Sequence, residues 1–284
     1  DLIKKRKWDK LSIGLEMDSH YFTAYCYEKI KQGLPNAKVL DCKRLVNWVR
    51  VVKSDTEIRY MKAAAQITEL GMKKAFEAIT PGVRQCDAVS EIYTTLIKGT
   101  PEFGGDYSSI VPMIPTGKGT SASHLTWSED KFVEGEATII ELSGVNKKYH
   151  CPMARTVLLG KPDQKKIDTM KKTNEALQAG IDLVKAGNTA DDVAQAFWKV
   201  LDKYGIEKTS RTGYSIGIGY PPDWGEHTLN IYKGDMTVLQ PNVCFHMIAV
   251  MQFGEWGVEA SESVRVTESG SELFCNYSRD LHIK

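Results

Sequence analysis

The chain has 284 residues, 42% of them hydrophobic and 26% charged, the balance of an ordinary soluble globular protein with room for one large domain or a domain plus part of a neighbour. Its 37 basic and 36 acidic residues leave a net charge of +1, so no field of one sign recruits nucleic acid or an anionic membrane surface. The single basic cluster, Lys4-Lys5-Arg6-Lys7, reads as a solvated terminal face. No apolar run approaches the ~20 residues that span a bilayer. Residues 1–10 are charged, lack the apolar centre of a signal peptide and do not begin with Met, so the chain reads as starting mid-domain. The six cysteines, Cys26, Cys42, Cys86, Cys151, Cys244 and Cys275, form no CxxC pair and sit mostly among apolar neighbours, as buried free thiols do. That usage indicates a reducing, cytoplasmic compartment.

Residues 11–42 read as short α/β units, with strands at 13–15 and 37–40. Two such strands bury no core alone, so residues 1–50 are expected to be the tail and linker of a preceding domain, with the main domain over 51–284. Ser54-Asp55-Thr56-Glu57 forms a capping box, and Ile58, Met61, Ala65, Ile67, Leu70, Met72 and Phe76 mark one face of the long helix it starts. Pro81-Gly82 stops that helix, and residues 87–97 give a second one. The β-branched runs 110–114, 137–142 and 154–159 then read as strands separated by Gly- and charge-rich turns. Helices follow over 164–186, closed by Gly187-Asn188, and over 190–204, capped by Thr189. Strands are expected at 216–218, 243–250, 258–266 and 272–274. Two helices, strands, two helices, strands is the order of an α+β domain with a curved antiparallel sheet and helices on its outer face.

Several segments resemble one known family in the right order. Residues 51–58 followed by Met61-Lys62-Ala63-Ala64, residues 110–112 with Gly117 and His124, Met153-Ala154-Arg155-Thr156, Leu239-Gln240-Pro241-Asn242 and residues 255–270 are similar to the pita-bread domain of the creatinase, prolidase and aminopeptidase P family. The likeness runs from Val51 to the C-terminus and implies that family's pita-bread fold. Its peptidases hold two metal ions with two aspartates, one histidine and two glutamates, the density of oxygen donors that hard divalent ions require. Carried over position by position, those five ligands fall on Glu141, Pro152, Tyr214, Ile248 and Ser261. One survives, so no metal and no other cofactor is expected. Creatinase's working glutamates would fall on Ala154 and Ile248, so its chemistry is not carried over either; only His124 matches. Residues 102–107, His124-Leu125-Thr126-Trp127, Tyr149-His150-Cys151-Pro152 and, most specifically, Tyr220-Pro221-Pro222-Asp223-Trp224-Gly225-Glu226 resemble the ectoine hydrolase branch. That branch implies a metal-independent, cytoplasmic homodimer that opens a cyclic amidine. In it, a glutamate placed where Glu141 stands attacks the ring carbon.

The residues bear on the same chemistry. An amidinium carbon is electrophilic and cationic, and a carboxylate facing it supplies both charge complementarity and a nucleophile. Glu141 follows the apolar run Ala137-Thr138-Ile139-Ile140; there it is either a structural ion-pair member or a functional acid whose pKa burial raises. His124 follows the Gly/Ser-rich loop 117–123 and is the candidate for proton transfer or orientation. Tyr214 either presents a phenol into the vacated metal space or fills it as core. Asp223 and Glu226, in a Pro- and Gly-bounded loop, either receive the ring amine or lie on a solvated turn. Glu259 and Glu262 lie on a late strand whose pleat sends only one of them toward the cavity. Trp127, Trp224, Trp256 and Phe103 are candidate walls for a flat cation, and Arg155 either holds a substrate carboxylate or serves a structural ion pair. The expected substrate is ectoine, 5-hydroxyectoine or a related cyclic amidine. The competing assignments are an Xaa-Pro dipeptidase or creatinase-like hydrolase, disfavoured by the five ligand positions, and a non-catalytic binding module, disfavoured by the joint retention of Glu141 and His124.

Overall fold

A computed structural model describes all residues, 1–284. The chain divides into two compact units, 1–50 and 51–284. The first contains α1 (Leu2–Lys5), β1 (Ser12–Leu15), α2 (Ala24–Gly33), β2 (Lys38–Asp41) and α3 (Leu45–Arg50). Its two strands pair in parallel, from Ser12 opposite Lys38 to Leu15 opposite Asp41, and none of its helical residues is buried.

The second unit opens with α4 (Asp55–Ala78) and α5 (Gln85–Lys98). Ser54 and Glu57 cap each other reciprocally, with Glu57 Oε2 accepting from the Ser54 amide at 2.8 Å. Then come β3 (Ala137–Asn146), β4 (Tyr149–Leu158), α6 (Gln164–Ile181), α7 (Ala190–Lys203), β5 (Gly213–Tyr220), β6 (Asp223–Ile231), β7 (Cys244–Phe253), β8 (Trp256–Val266), β9 (Ser271–Leu273) and β10 (His282–Ile283). The sheet runs β10-β4-β5-β7-β8-β9, with β3 beside β4 and β6 beside β5. Every pair is antiparallel except β10 with β4. Alternation along the strands divides the side chains. Ile140 and Leu142 of β3 join the buried stripe of α4 and α5 in one core, while Met247 and Ala249 of β7 and Val258 and Ala260 of β8 pack with α6 and α7 in another. Gly144 lets α4 lie against β3, because a Cβ there would strike the Ala64 carbonyl and the Thr68 amide.

The two halves of the sheet meet in the ladder at Tyr149 opposite Ile218. Side chains complete the curl by tying β4 to β8. The Ala154 amide donates to Ser261 Oγ at 2.6 Å, and the Glu259 amide donates to Thr156 Oγ1 at 2.8 Å. Arg155, fully buried, donates to the Ser261 carbonyl at 2.6 Å and to Glu262 Oε1 at 2.8 Å, and also to the carbonyls of Tyr277 and Ser278. Burial pushes its pKa down and the Glu262 charge opposes that. Arg155 is therefore the structural ion-pair member of the two roles open to it, and Glu262 is spent on it rather than on substrate.

Three expectations need correction. Residues 110–114 form no strand and contribute one bridge, Met113 opposite Glu141, because Pro112 and Pro115 lack the amide protons a ladder needs. The helix expected to reach residue 186 stops at Ile181, after which the amides of Leu183 and Val184 bond three residues back. Only Cys151, Cys244 and Cys275 are buried; Cys26 is exposed, Cys42 and Cys86 lie between, and all six are free. No helix is long and apolar enough to cross a membrane.

Removing Arg155 leaves the buried Glu262 only the longer contact with Arg279 at 3.5 Å and deprives the Ser261, Tyr277 and Ser278 carbonyls of a donor, a loss of about 3–5 kcal/mol in such settings. Arg155→Ala is expected to lower the unfolding free energy by that order in urea titration, whereas a change under 1 kcal/mol would show that the curl does not depend on it.

Candidate active site

The concave face of the sheet holds a cavity of about 160 Å³. An apolar cavity of about 150 Å³ accommodates benzene, so this one takes a molecule of a single small ring. β3 contributes Ile139 and Glu141, β5 contributes Tyr214, β7 contributes Ile248, Val250 and Gln252, and β8 contributes Glu259. These are the alternate positions left over after the opposite faces enter the cores. Met113 and Pro115 close one side, Met113 exchanging both backbone hydrogen bonds with Glu141 at 2.8 and 2.9 Å. Ala122, Ser123 and His124 form part of the mouth, and Lys208, Ser210 and Arg211, from the connection between α7 and β5, form the rest.

His124 is exposed and left-handed, with φ of 64°. The preceding loop contains a 3-10 turn over Gly117–Ser121, pinned to β8 where Thr120 Oγ1 accepts from the Gly257 amide at 2.9 Å. A side chain at Gly257 would strike the Thr120 carbonyl.

Burial raises the pKa of Glu141 well above the usual carboxyl value, and the charges of Glu259 and Asp223 add to it. Burial likewise raises Glu259 to about 7, against the opposing pull of Lys208. Lys208 is itself lowered to about 8 by burial. Glu259 Oε1 is buried with no hydrogen-bond partner in the protein. An acid with a pKa near neutrality and an unengaged oxygen in a cleft suits proton transfer.

Behind Glu141 lies a neutral network. His246 Nδ1 is 4.0 Å from Glu141 Oε1 and 3.1 Å from the Tyr214 hydroxyl, while its Nε2 is 2.6 Å from Ser261 Oγ. Trp224 Nε1 donates to the Tyr214 hydroxyl at 2.7 Å. Burial, with help from Arg155 and Arg211, pushes His246 down to about 3, so its ring is neutral. Burial also raises the Tyr214 phenol, as does the Glu141 charge. The Tyr214 ring lines the cavity, while its hydroxyl is held by Trp224 and His246.

Other candidates lie elsewhere. Glu226 does not face the cavity; it is buried and paired with the equally buried Lys53 at 2.7 Å. Asp223 is not among the lining residues: it pairs with His227 at 2.8 Å and accepts from the Gly225 amide at 2.9 Å. Burial tends to raise Asp223, but the His227 and Gly225 hydrogen bonds outweigh it and lower the pKa. The reason for both corrections is that residues 220–226 are the turn and first strand positions of the β5–β6 hairpin rather than an open loop. Glu262 faces away, toward Arg155. None of Trp127, Trp224, Trp256 and Phe103 lines the cavity; Tyr214 is its one aromatic wall. Lys208, Ser210, Arg211, Gln252 and the role of His246 were missed, because residues 207–211 carry only the polarity of a connecting segment.

The positions of metal ligands in the peptidases do not fit a metal here. Pro152 has no donor side chain, Ile248 is an apolar wall, and Ser261 and Tyr214 are engaged by Ala154, His246 and Trp224. No group of three or more His, Cys, Asp and Glu side chains converges as a metal ion would need.

A family model described as "Metallopeptidase family M24" matches residues 59–268. The ectoine hydrolase of Halomonas elongata is 42% identical over all of this chain and 72% of its own length. An uncharacterized hydrolase/peptidase of Sinorhizobium fredii is 38% identical over 96% of this chain and 70% of that relative. Among solved structures, the Xaa-Pro dipeptidase from Bacillus anthracis covers the whole chain and 78% of its own, with a TM-score of 0.89 at 23% identity. The X-Pro aminopeptidase from Thermotoga maritima likewise covers the whole chain and 78% of its own, with a TM-score of 0.87 at 19% identity. The chain belongs to the M24 family and has its pita-bread fold. It is a hydrolase of that fold, resembling ectoine hydrolase in sequence more than the peptidases.

A carboxyl whose pKa rises on folding favours the folded state at low pH, and that advantage is lost as pH climbs from the unfolded to the folded value. For Glu259 the window runs from 4.5 to about 7. The ligand-free protein is expected to lose thermal stability across that window, and Glu259→Gln to lose markedly less. An unchanged slope in the variant would place the titrating group elsewhere.

Proposed function

We propose that this protein is a metal-independent hydrolase that opens a C–N bond of a cyclic amidine, ectoine or 5-hydroxyectoine, with Glu141 as nucleophile. The observation that carries it is Glu141 itself: a buried carboxylate in a ring-sized cavity, with the other four metal-ligand positions occupied by an apolar or fully engaged side chain or by proline. The ectoine hydrolase relative supports the substrate class.

In the empty cavity burial, and for Glu141 also the charge of Glu259, favours the protonated carboxyls. A bound amidinium reverses that penalty, since a cation beside Glu141 favours its ionised form. The Glu141 carboxylate oxygen adds to the amidinium carbon between the two ring nitrogens. One ring C–N bond breaks, its electron pair remaining on nitrogen, which takes a proton from Glu259. Water then adds to the carbon bound to Glu141, giving its proton to Glu259. The bond to Glu141 breaks as the hydroxyl proton on that carbon passes to the freed amine, leaving an amide, an ammonium group and the original carboxylate. Glu259 near neutrality serves both proton steps. Tyr214 and the neutral His246 hold the floor behind Glu141, and His124 covers the mouth and orients the incoming water. The resemblance also carries a cytoplasmic homodimer into this proposal.

Purified protein dialysed against EDTA is expected to convert ectoine to monoacetylated diaminobutyrate at an unchanged rate and to leave Gly-Pro intact. Glu141→Gln, of similar shape, should fold yet lose at least ~10³-fold in turnover. Activity lost on chelation and restored by manganese, or near-normal turnover by Glu141→Gln, would contradict the proposal.

A further inference from the structure

The mouth of the cavity carries two cations that the bond-breaking chemistry leaves unused. Arg211 is held as a plane: its guanidinium carbon lies 4.4 Å above the centre of the Tyr214 ring, and Nη1 donates to Asn230 Oδ1 at 2.6 Å. Asn230 is the register partner of Tyr214 across β5 and β6, so neighbouring strands fix both supports. An arginine held by one nitrogen and one face presents its remaining donors edge-on, in the fork that matches a carboxylate. Lys208, three residues earlier, donates to Ser210 Oγ at 2.6 Å. Neither cation is spent in a salt bridge with a protein carboxylate, although both line a cavity that also holds Glu141 and Glu259. The unpartnered Glu259 Oε1 lies in the acidic part of the same cavity.

Charges of both signs therefore line a space the size of one ring. Resting on the amidine-hydrolase proposal, we infer that Arg211, with Lys208 beside it, is an anion subsite that takes the substrate's carboxylate, so the cavity selects a ring carrying an amidinium and a carboxylate together. A cation alone would satisfy the glutamates and leave the arginine fork facing water. The zwitterion engages both ends and fixes which face of the amidinium carbon Glu141 meets.

The test compares two substrates on wild type, Arg211→Gln and Arg211→Lys. One is ectoine; the other is 2-methyl-1,4,5,6-tetrahydropyrimidine, the same amidine ring without the carboxylate. Arg211→Gln is expected to lower kcat/KM for ectoine by about 10- to 100-fold, chiefly through KM, the loss of a charge-assisted hydrogen-bonded pair. Turnover of the carboxylate-free ring should change by less than about 3-fold, and Arg211→Lys should recover part of the loss for ectoine because it restores the charge without the fork. Equal losses on both substrates would overturn the subsite and make Arg211 a support for Tyr214 and Glu141. Calorimetric binding of ectoine separates this inference from the reaction it rests on. If wild type opens neither ring, the hydrolase proposal fails. In that case, ectoine binding that weakens 10-fold or more in Arg211→Gln upholds the subsite, and binding that is equal or absent in both proteins overturns it.

Discussion

Glu141 and Glu259 share a cavity of about 160 Å³, and taking a carboxylate out of water costs several kcal/mol even after the surroundings relax. A metal-binding relative of this fold can offset that cost with divalent charge, but here the ligand positions are closed to it. The penalty is met instead by keeping protons on the carboxyls, by Lys208 at the mouth, and by whatever cation enters. The site is therefore held in a state that a cationic ligand relieves. On the function proposed above, a bound amidinium relieves that burial penalty and leaves Glu141 ionised.

The rest of the domain is consistent with holding that strained pair still. Beneath Glu141 the interior is neutral: His246 cannot charge, the Tyr214 phenol keeps its proton, and Ser261 ties this layer to the β4 backbone. The full charges of the sheet interior are confined to two pairs set apart from the cavity, Arg155 with Glu262 and Lys53 with Glu226. Each is buried on both sides, so each fixes strand geometry without adding a mobile charge to the site. Arg155 does this where the backbone ladder between β4 and β8 is replaced by side-chain hydrogen bonds.

Much of this was legible in the sequence because it is local. The capping box at Ser54, the N-cap at Thr189 and the apolar face of α4 depend on neighbours within one turn. The alternation of β8 sends Glu259 and Glu262, three residues apart, to opposite faces. Glu141, Tyr214 and His124 could be located by position within a known family. What failed was non-local. Asp223 and Glu226 are acidic residues in a Pro-rich string, and only the hairpin reveals that each already has a partner. Lys208 and Arg211 lie in a polar connection with no periodicity, and their place at the cavity follows from how that connection crosses the sheet. The Pro112 and Pro115 amides were a local signal against a strand at 110–114 that the β-branched residues obscured.

The central claim is that Glu141 forms a covalent bond to the substrate carbon. Mixing the protein with ectoine, quenching in acid on the millisecond scale, and sequencing the proteolytic peptides by mass spectrometry tests it directly. The account predicts a peptide spanning Glu141 heavier by one intact substrate, appearing before free product and absent from Glu141→Gln. A burst of product with no modified peptide at any quench time, or an adduct on another side chain, would contradict it.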